Sequence, residues 1–67
     1  MQNGIEIFVK EGEIWRCHTT GFYSFEGEKA IALAKKIEAD FLCQVGVVHF
    51  VSFDEETILY ESKNKGE

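Results

Sequence analysis

Residues 26–41, EGEKAIALAKKIEADF, decide how this chain folds. Ala30, Leu33, Ala34, Ile37 and Phe41 recur at i, i+3, i+4, i+7 and i+11, which places them on one stripe of an α-helix, with Ile31 beside it. Glu28, Lys35, Lys36, Glu38 and Asp40 fall elsewhere around the wheel. Ser24 or Glu26 stands where an N-cap is needed, and Glu26 and Glu28 suit the positive end of the helix dipole. Alanines on the buried stripe allow close approach to a sheet. This is the one helical pattern in 67 residues, and a stretch on each side of it reads as a β-hairpin. The expected class is α+β, in the order ββαββ, with a four-stranded antiparallel sheet and one helix packed on one face.

Upstream of the helix, Ile5 to Lys10 and Glu13 to Thr19 alternate apolar and polar residues, with Gly12 between them. A two-residue Glu11-Gly12 turn of type I′ requires positive φ at Glu11, which that residue resists. A three-residue Lys10-Glu11-Gly12 loop puts Gly12 in the left-handed position of a bulge. It then pairs Ile7 with Trp15, Ile5 with Cys17, Phe8 with Ile14, and Glu6 with Arg16, so that like faces like and opposite charges meet. The three-residue loop is the expected one. It makes Ile5, Ile7, Val9, Trp15 and Cys17 the core face. Glu6, Phe8, Ile14, Arg16 and His18 fall on the other face, a half-apolar, half-charged set suited to an interface.

Gly21 to Phe25 is expected to bridge into the helix. Beyond the helix, Val45 to Phe53 is strongly β-forming, and Thr57 to Glu61 follows after Asp54-Glu55-Glu56. No glycine fixes that turn, so its register stays open. Val47, Val51 and Phe53 alternate with Val48 and Phe50, which puts large apolar groups on both faces whatever the parity. Such strands belong to sheets covered on both sides, and one helix supplies one cover. Placing the third strand beside the first keeps all neighbours antiparallel and gives the order 2-1-3-4. The charged tail from Ser62 to Glu67 is expected to fray, leaving one domain over residues 1–67 with an ordered core near residues 4–62.

Composition narrows the function. Seven basic residues stand against twelve acidic ones, a formal net charge of −5. The cations (Lys10, Arg16, Lys29, Lys35, Lys36, Lys63 and Lys65) are scattered, whereas phosphate backbones are bound by clustered Lys and Arg. Nucleic acid is therefore disfavoured as a partner. No apolar run approaches the roughly 20 residues of a membrane helix, and the polar start Met1–Gly4 does not read as a secretory signal. Two cysteines are too few for a disulfide scaffold. The expected location is the cytoplasm, with both thiols reduced and no membrane partner.

The candidate chemistry is thin. Cys17 and His18, adjacent on a strand, point to opposite faces and cannot bind one ion together. With Cys43 and His49 they lack the paired spacing of a zinc site, so no metal and no cofactor is expected. Cys17 and Cys43 fall on non-neighbouring strands, too far apart for a disulfide. Nothing in the spacing supports a nucleophilic Cys–His pair, and no Gly-rich phosphate loop or nucleophile elbow is present. The carboxylates at Glu26-Gly27-Glu28 and Asp54-Glu55-Glu56 suit a helix start and a turn. No catalytic residue is assigned, and the chain is not expected to be an enzyme. Trp15, Phe22, Tyr23, Phe25, Phe50, Phe53 and Tyr60 form a rich aromatic set, which suits core packing and interface anchoring better than base stacking.

The order hairpin, amphipathic helix, hairpin, with Phe25 and Glu28-x-Ala30 at the helix start, is similar to small bacterial domains of unknown function and to short phage inhibitors of host RNA polymerase. That resemblance implies only that compact acidic proteins of this shape act by binding. From the residues themselves, the leading expectation is a non-catalytic module that self-associates as a homo-oligomer (dimer) or docks a protein partner. It uses its open sheet face, with Phe8, Ile14, Arg16, His18, Val48 and Phe50 as contacts. The alternatives are an acidic mimic or inhibitor of a basic enzyme surface, and a small-ligand or single-stranded nucleic-acid binder using sheet aromatics.

Overall fold

The computed structural model describes residues 4–52 and 54–62; Phe53 and the charged tail after Ser62 lie outside the described residues. Strands β1 (Gly4–Glu11) and β2 (Ile14–Tyr23), helix α1 (Gly27–Phe41), and strands β3 (Val45–Ser52) and β4 (Glu55–Glu61) follow one another along the chain. They form one sheet in the order β2-β1-β3-β4, with every neighbouring pair antiparallel. The helix packs on one face, so the α+β class and the ββαββ order are those expected.

Alternation along the two central strands sets the core. In β1, Ile5, Ile7 and Val9 are buried while Glu6, Phe8 and Lys10 are half-buried. Each buried residue faces a partner on β3: Ile5 His49, Ile7 Val47, and Val9 Val45. From the helix, Ala30, Ala34 and Ile37 complete this cluster, and the absence of bulk at the two alanines lets the helix lie close to the strands. Leu33 and Ile31 pack at its margin. Phe41, the last residue of the expected stripe, is instead 71% exposed. The helix ends there, because Leu42 takes a left-handed conformation at φ 53°.

The first hairpin departs from the expected register. Glu11 pairs with Ile14, so the turn is the two-residue Gly12-Glu13. Gly12 sits at its first central position with φ 65°, where a type II′ turn places glycine and asks no positive φ of the next residue. Lys10 therefore faces Trp15, Val9 faces Arg16, and Phe8 faces Cys17. Each of these β2 residues thus pairs three positions from its expected partner, and any odd shift of register moves every side chain of a strand to the opposite face. Trp15 and Cys17 accordingly leave the core face, and Ile14 and Arg16 take their place on the helix side.

Further along, β2 carries extra residues between Cys17 and Thr19 and between Thr19 and Phe22. Gly21, at φ 97°, supplies backbone that other residues rarely adopt in the second bulge. The strand thereby continues to Tyr23 through the stretch expected as a bridge, and Phe22 is brought to the core.

The ends of the helical layer are fixed by local hydrogen bonds. Glu26 is the N-cap residue, but its carboxylate turns back and accepts the Tyr23 N–H at 2.9 Å. Its own N–H donates to the Tyr23 carbonyl, also at 2.9 Å. At the far end of the sheet, Ser62 is buried rather than frayed. Its hydroxyl accepts the Val45 N–H at 2.9 Å, and its N–H donates to the Val45 carbonyl at 2.9 Å.

Candidate docking surface on the open sheet face

The face away from the helix follows from the same register. Glu6, Phe8 and Lys10 of β1 alternate with the core set, and their cross-strand partners share their side. These are Cys17 and Trp15 on β2, and Gly46 and Val48 on β3, with Phe50 opposite Gly4. On β4, Glu61 faces Gly46, Ile58 faces Val48, and Glu56 faces Phe50. No element covers this face among the described residues.

Of the six contacts expected from the sequence, Phe8, Val48 and Phe50 lie here, each half-buried. Ile14, Arg16 and His18 do not. Ile14 and Arg16 face the helix side at the sheet edge, where Arg16 meets Glu11 at 3.5 Å in an exposed pair. His18, in the first bulge, lines a cleft of about 250 Å³ with Val9, Ile37, Phe41 and Cys43, and its Nδ1 lies 2.7 Å from the Thr19 hydroxyl. Sequence reasoning missed Trp15, Ile58 and Glu61 for the open face. The signal for Trp15 was Gly12 followed by Glu13, a glycine-first turn pair; nothing fixed the second hairpin's register.

Trp15 organises the surface. Its indole extends from β2 across β1, and a Cβ on Gly46 would stand 3.8 Å from indole Cζ3. Lys10 Nζ rests 5.9 Å from the ring centroid, a cation over a π-face. Phe8, Trp15, Gly46, Val48, Ile58 and Glu61 line a shallow, mostly apolar groove of about 180 Å³. Trp15 and Ile58 remain 41% and 59% exposed, large apolar groups without cover. Ligand pockets for small molecules run to about 300–1,000 Å³, so this groove is the size of one side chain rather than of a cofactor.

Carboxylates frame the apolar centre. Glu6, Glu56 and Glu61 share the face, and Lys10 is the cation among its paired positions. Cys17 Sγ donates to Glu6 Oε1 at 3.5 Å. Partial desolvation, then the Glu6 charge and that hydrogen bond, push the Cys17 thiol above its ordinary value, which keeps it protonated and a poor nucleophile.

The other chemistry-bearing residues do not converge into a reactive group. Cys17 and Cys43 are free thiols on opposite sides of the sheet. His18 and Cys43 share the helix-side cleft without a hydrogen bond between them. Among the described residues no cluster of three His, Cys, Asp or Glu could hold a metal ion, and no helix is long and apolar enough to cross a membrane. The aromatic set divides: Phe22 and Tyr60 pack against the core, while Tyr23 and Phe25 stack on each other at 5.4 Å before the helix.

Comparison of the chain with protein-family models, with curated proteins and with solved structures finds no match. The functional reading therefore rests on this surface.

Proposed function

We propose that this protein is a non-catalytic binding module that docks a protein partner through its open sheet face. One observation carries the reading. A single helix covers one side of the sheet, while the other side holds Phe8, Trp15, Val48, Phe50 and Ile58 together, with Trp15 and Ile58 substantially exposed. Exposed apolar groups gathered on one rigid face and framed by charge are the composition of an interface. The same reading makes the protein cytoplasmic, in keeping with its unpaired thiols.

Glu6, Glu56 and Glu61 favour a second, related reading, in which the partner presents a basic surface and the module acts as an acidic inhibitor or mimic. Such binding weakens with salt, whereas a wholly apolar interface does not. The same carboxylates weigh against self-association through this face, which would gather them from both copies with only one Lys10 from each to offset them. They weigh equally against a nucleic-acid strand laid across the aromatics.

Ile58 and Ile14 provide the test, being chemically identical and 59% and 66% exposed on opposite sides of the sheet. Partner capture from the native host, quantified by mass spectrometry, should be lost with Ile58→Glu and retained with Ile14→Glu. Equal capture by the two variants removes the open face as the docking surface. Light scattering at high micromolar concentration checks the self-association branch, which requires a dimer that Ile58→Glu dissociates.

A further inference from the structure

We infer that the groove at Gly46 is a receptor for one arginine side chain of the docked protein, a deepening that rests on the docking reading above. Three features converge on that occupant. The first is shape: Gly46, lacking a side chain, leaves a groove whose lining includes the Trp15 indole and the cross-strand neighbour Glu61. The groove encloses about 180 Å³, room for a single long side chain. The second is the lining, which is apolar at Phe8, Val48 and Ile58 and suits an alkyl stem, with one carboxylate, that of Glu61, at its margin. Among the described residues the Glu61 carboxylate has neither a hydrogen bond nor an ion pair, whereas Glu11, Glu26 and Asp40 are each held in one. The third is that the indole already attracts a cation, since Lys10 Nζ lies over its ring at 5.9 Å.

An apolar stem ending in a cation, laid between an indole and a carboxylate, is the complement of that arrangement. Arginine meets it better than lysine. Its guanidinium is planar and weakly hydrated, stacks on an aromatic ring, and offers a carboxylate two parallel N–H donors. A purely aliphatic side chain would fill the walls but leave Glu61 facing apolar surface. An acidic one would be repelled by Glu61 and by Glu6 nearby.

Three capped tripeptides test the assignment: acetyl-Leu-Arg-Leu-amide and its analogues with norleucine or glutamate at the centre. Binding is followed by amide chemical shifts and by the fluorescence of Trp15, the sole tryptophan. The arginine peptide should shift Trp15, Gly46, Ile58 and Glu61 and bind about fivefold tighter than the norleucine peptide. Glu61→Gln should erase that advantage and leave norleucine binding unchanged. Equal binding of arginine and norleucine peptides overturns the cationic occupant and leaves the docking face standing. Absence of binding by the arginine peptide, with partner capture still lost in Ile58→Glu, overturns the receptor alone. Capture unaffected by Ile58→Glu overturns the docking reading itself.

Discussion

The indole of Trp15, on β2, lies against Gly46, on β3, and spans the intervening strand β1 to reach it. Two strands that share no hydrogen bonds are thus joined by one side chain on the open face. The contact exists because position 46 carries no side chain, and because the Gly12-Glu13 turn sends Trp15 to that side of the sheet.

Gly46→Ala should be tolerated and mildly stabilising. A Cβ there meets indole Cζ3 at 3.8 Å and the Tyr60 carbonyl oxygen at 4.0 Å, ordinary van der Waals distances. Glycine within a strand costs roughly 0.5–1 kcal/mol relative to alanine through chain entropy. Urea denaturation should place the alanine variant above the wild type by an amount near the lower end of that range. The added methyl group also narrows the groove, so the same variant should bind an arginine peptide more weakly. A less stable alanine variant would mean that the indole does not leave the space described.

The turn that sets the faces has its own test. Gly12 holds φ 65° with nothing within 4 Å of the position a Cβ would take. Substitution is therefore penalised by backbone conformation alone. Gly12→Ala should cost about 1–2 kcal/mol. A D-alanine placed there by chemical synthesis should match or exceed glycine, since its preferred φ is positive and it stiffens the unfolded chain. Equal destabilisation by both enantiomers is the result that excludes the left-handed turn.

The helix, the central pair of strands and their buried sets were legible because one helical stripe and a period of two each survive without knowledge of the rest. Ile5, Ile7 and Val9 sit on the core face, and Phe8, Val48 and Phe50 on the open one. The face of β2 was not legible, because it depends on whether the register shifts by an odd or an even number of residues, and the shift is three. Pairing Ile7 with Trp15 and Glu6 with Arg16 looked favourable, but cross-strand pairs of that kind contribute only about 0.2–1 kcal/mol each. Backbone freedom at Gly12 in a glycine-first turn outweighs them. Trp15 finds Lys10 and Gly46 instead, and Arg16 finds Glu11. The bulge that brings Phe22 to the helix side rests on Gly21, and no local pattern announced it or the first bulge, at His18. The candidate site was therefore half visible: its strands were right, and its central aromatic was assigned to the wrong side.

Tyr60 should make stability fall at alkaline pH. Its hydroxyl donates to Glu38 Oε1 at 2.7 Å, and Lys35 Nζ lies 5.4 Å from its ring centroid. The hydrogen bond to Glu38, then partial burial and the Glu38 charge, hold its phenol above the ordinary value, with Ser62 opposing. A phenol raised in the folded state contributes stability that is fully present below the unfolded value of about 10 and is lost as pH rises through the folded value. Wild-type stability should therefore drop above about pH 10, and Tyr60→Phe should show a shallower decline. At neutral pH the variant should lose about 0.5–1 kcal/mol, the net worth of a half-exposed hydrogen bond. Difference spectroscopy of wild type against Tyr60→Phe should show the Tyr60 phenol ionising above the ordinary value for tyrosine; ionisation at or below that value would contradict the Glu38 contact.

Ser62 closes the sheet where the sequence suggested an unravelled end. Its hydroxyl and its N–H each bond to Val45, a residue with no exposed surface, and the Ser62 hydroxyl is the acceptor for the Val45 N–H. Removing that hydroxyl leaves a buried donor without a partner, at a cost of about 1–3 kcal/mol. Ser62→Ala should therefore lower the denaturation midpoint, while Ser62→Thr, which keeps the oxygen, should recover most of the loss. Hydrogen exchange at the Val45 amide separates this from a general loosening. The alanine variant should accelerate exchange at Val45 more than at Ile7, which is equally buried and keeps its own strand bonds. Uniform acceleration across the sheet, or no change at Val45, would show that the strand end is held by something other than this serine.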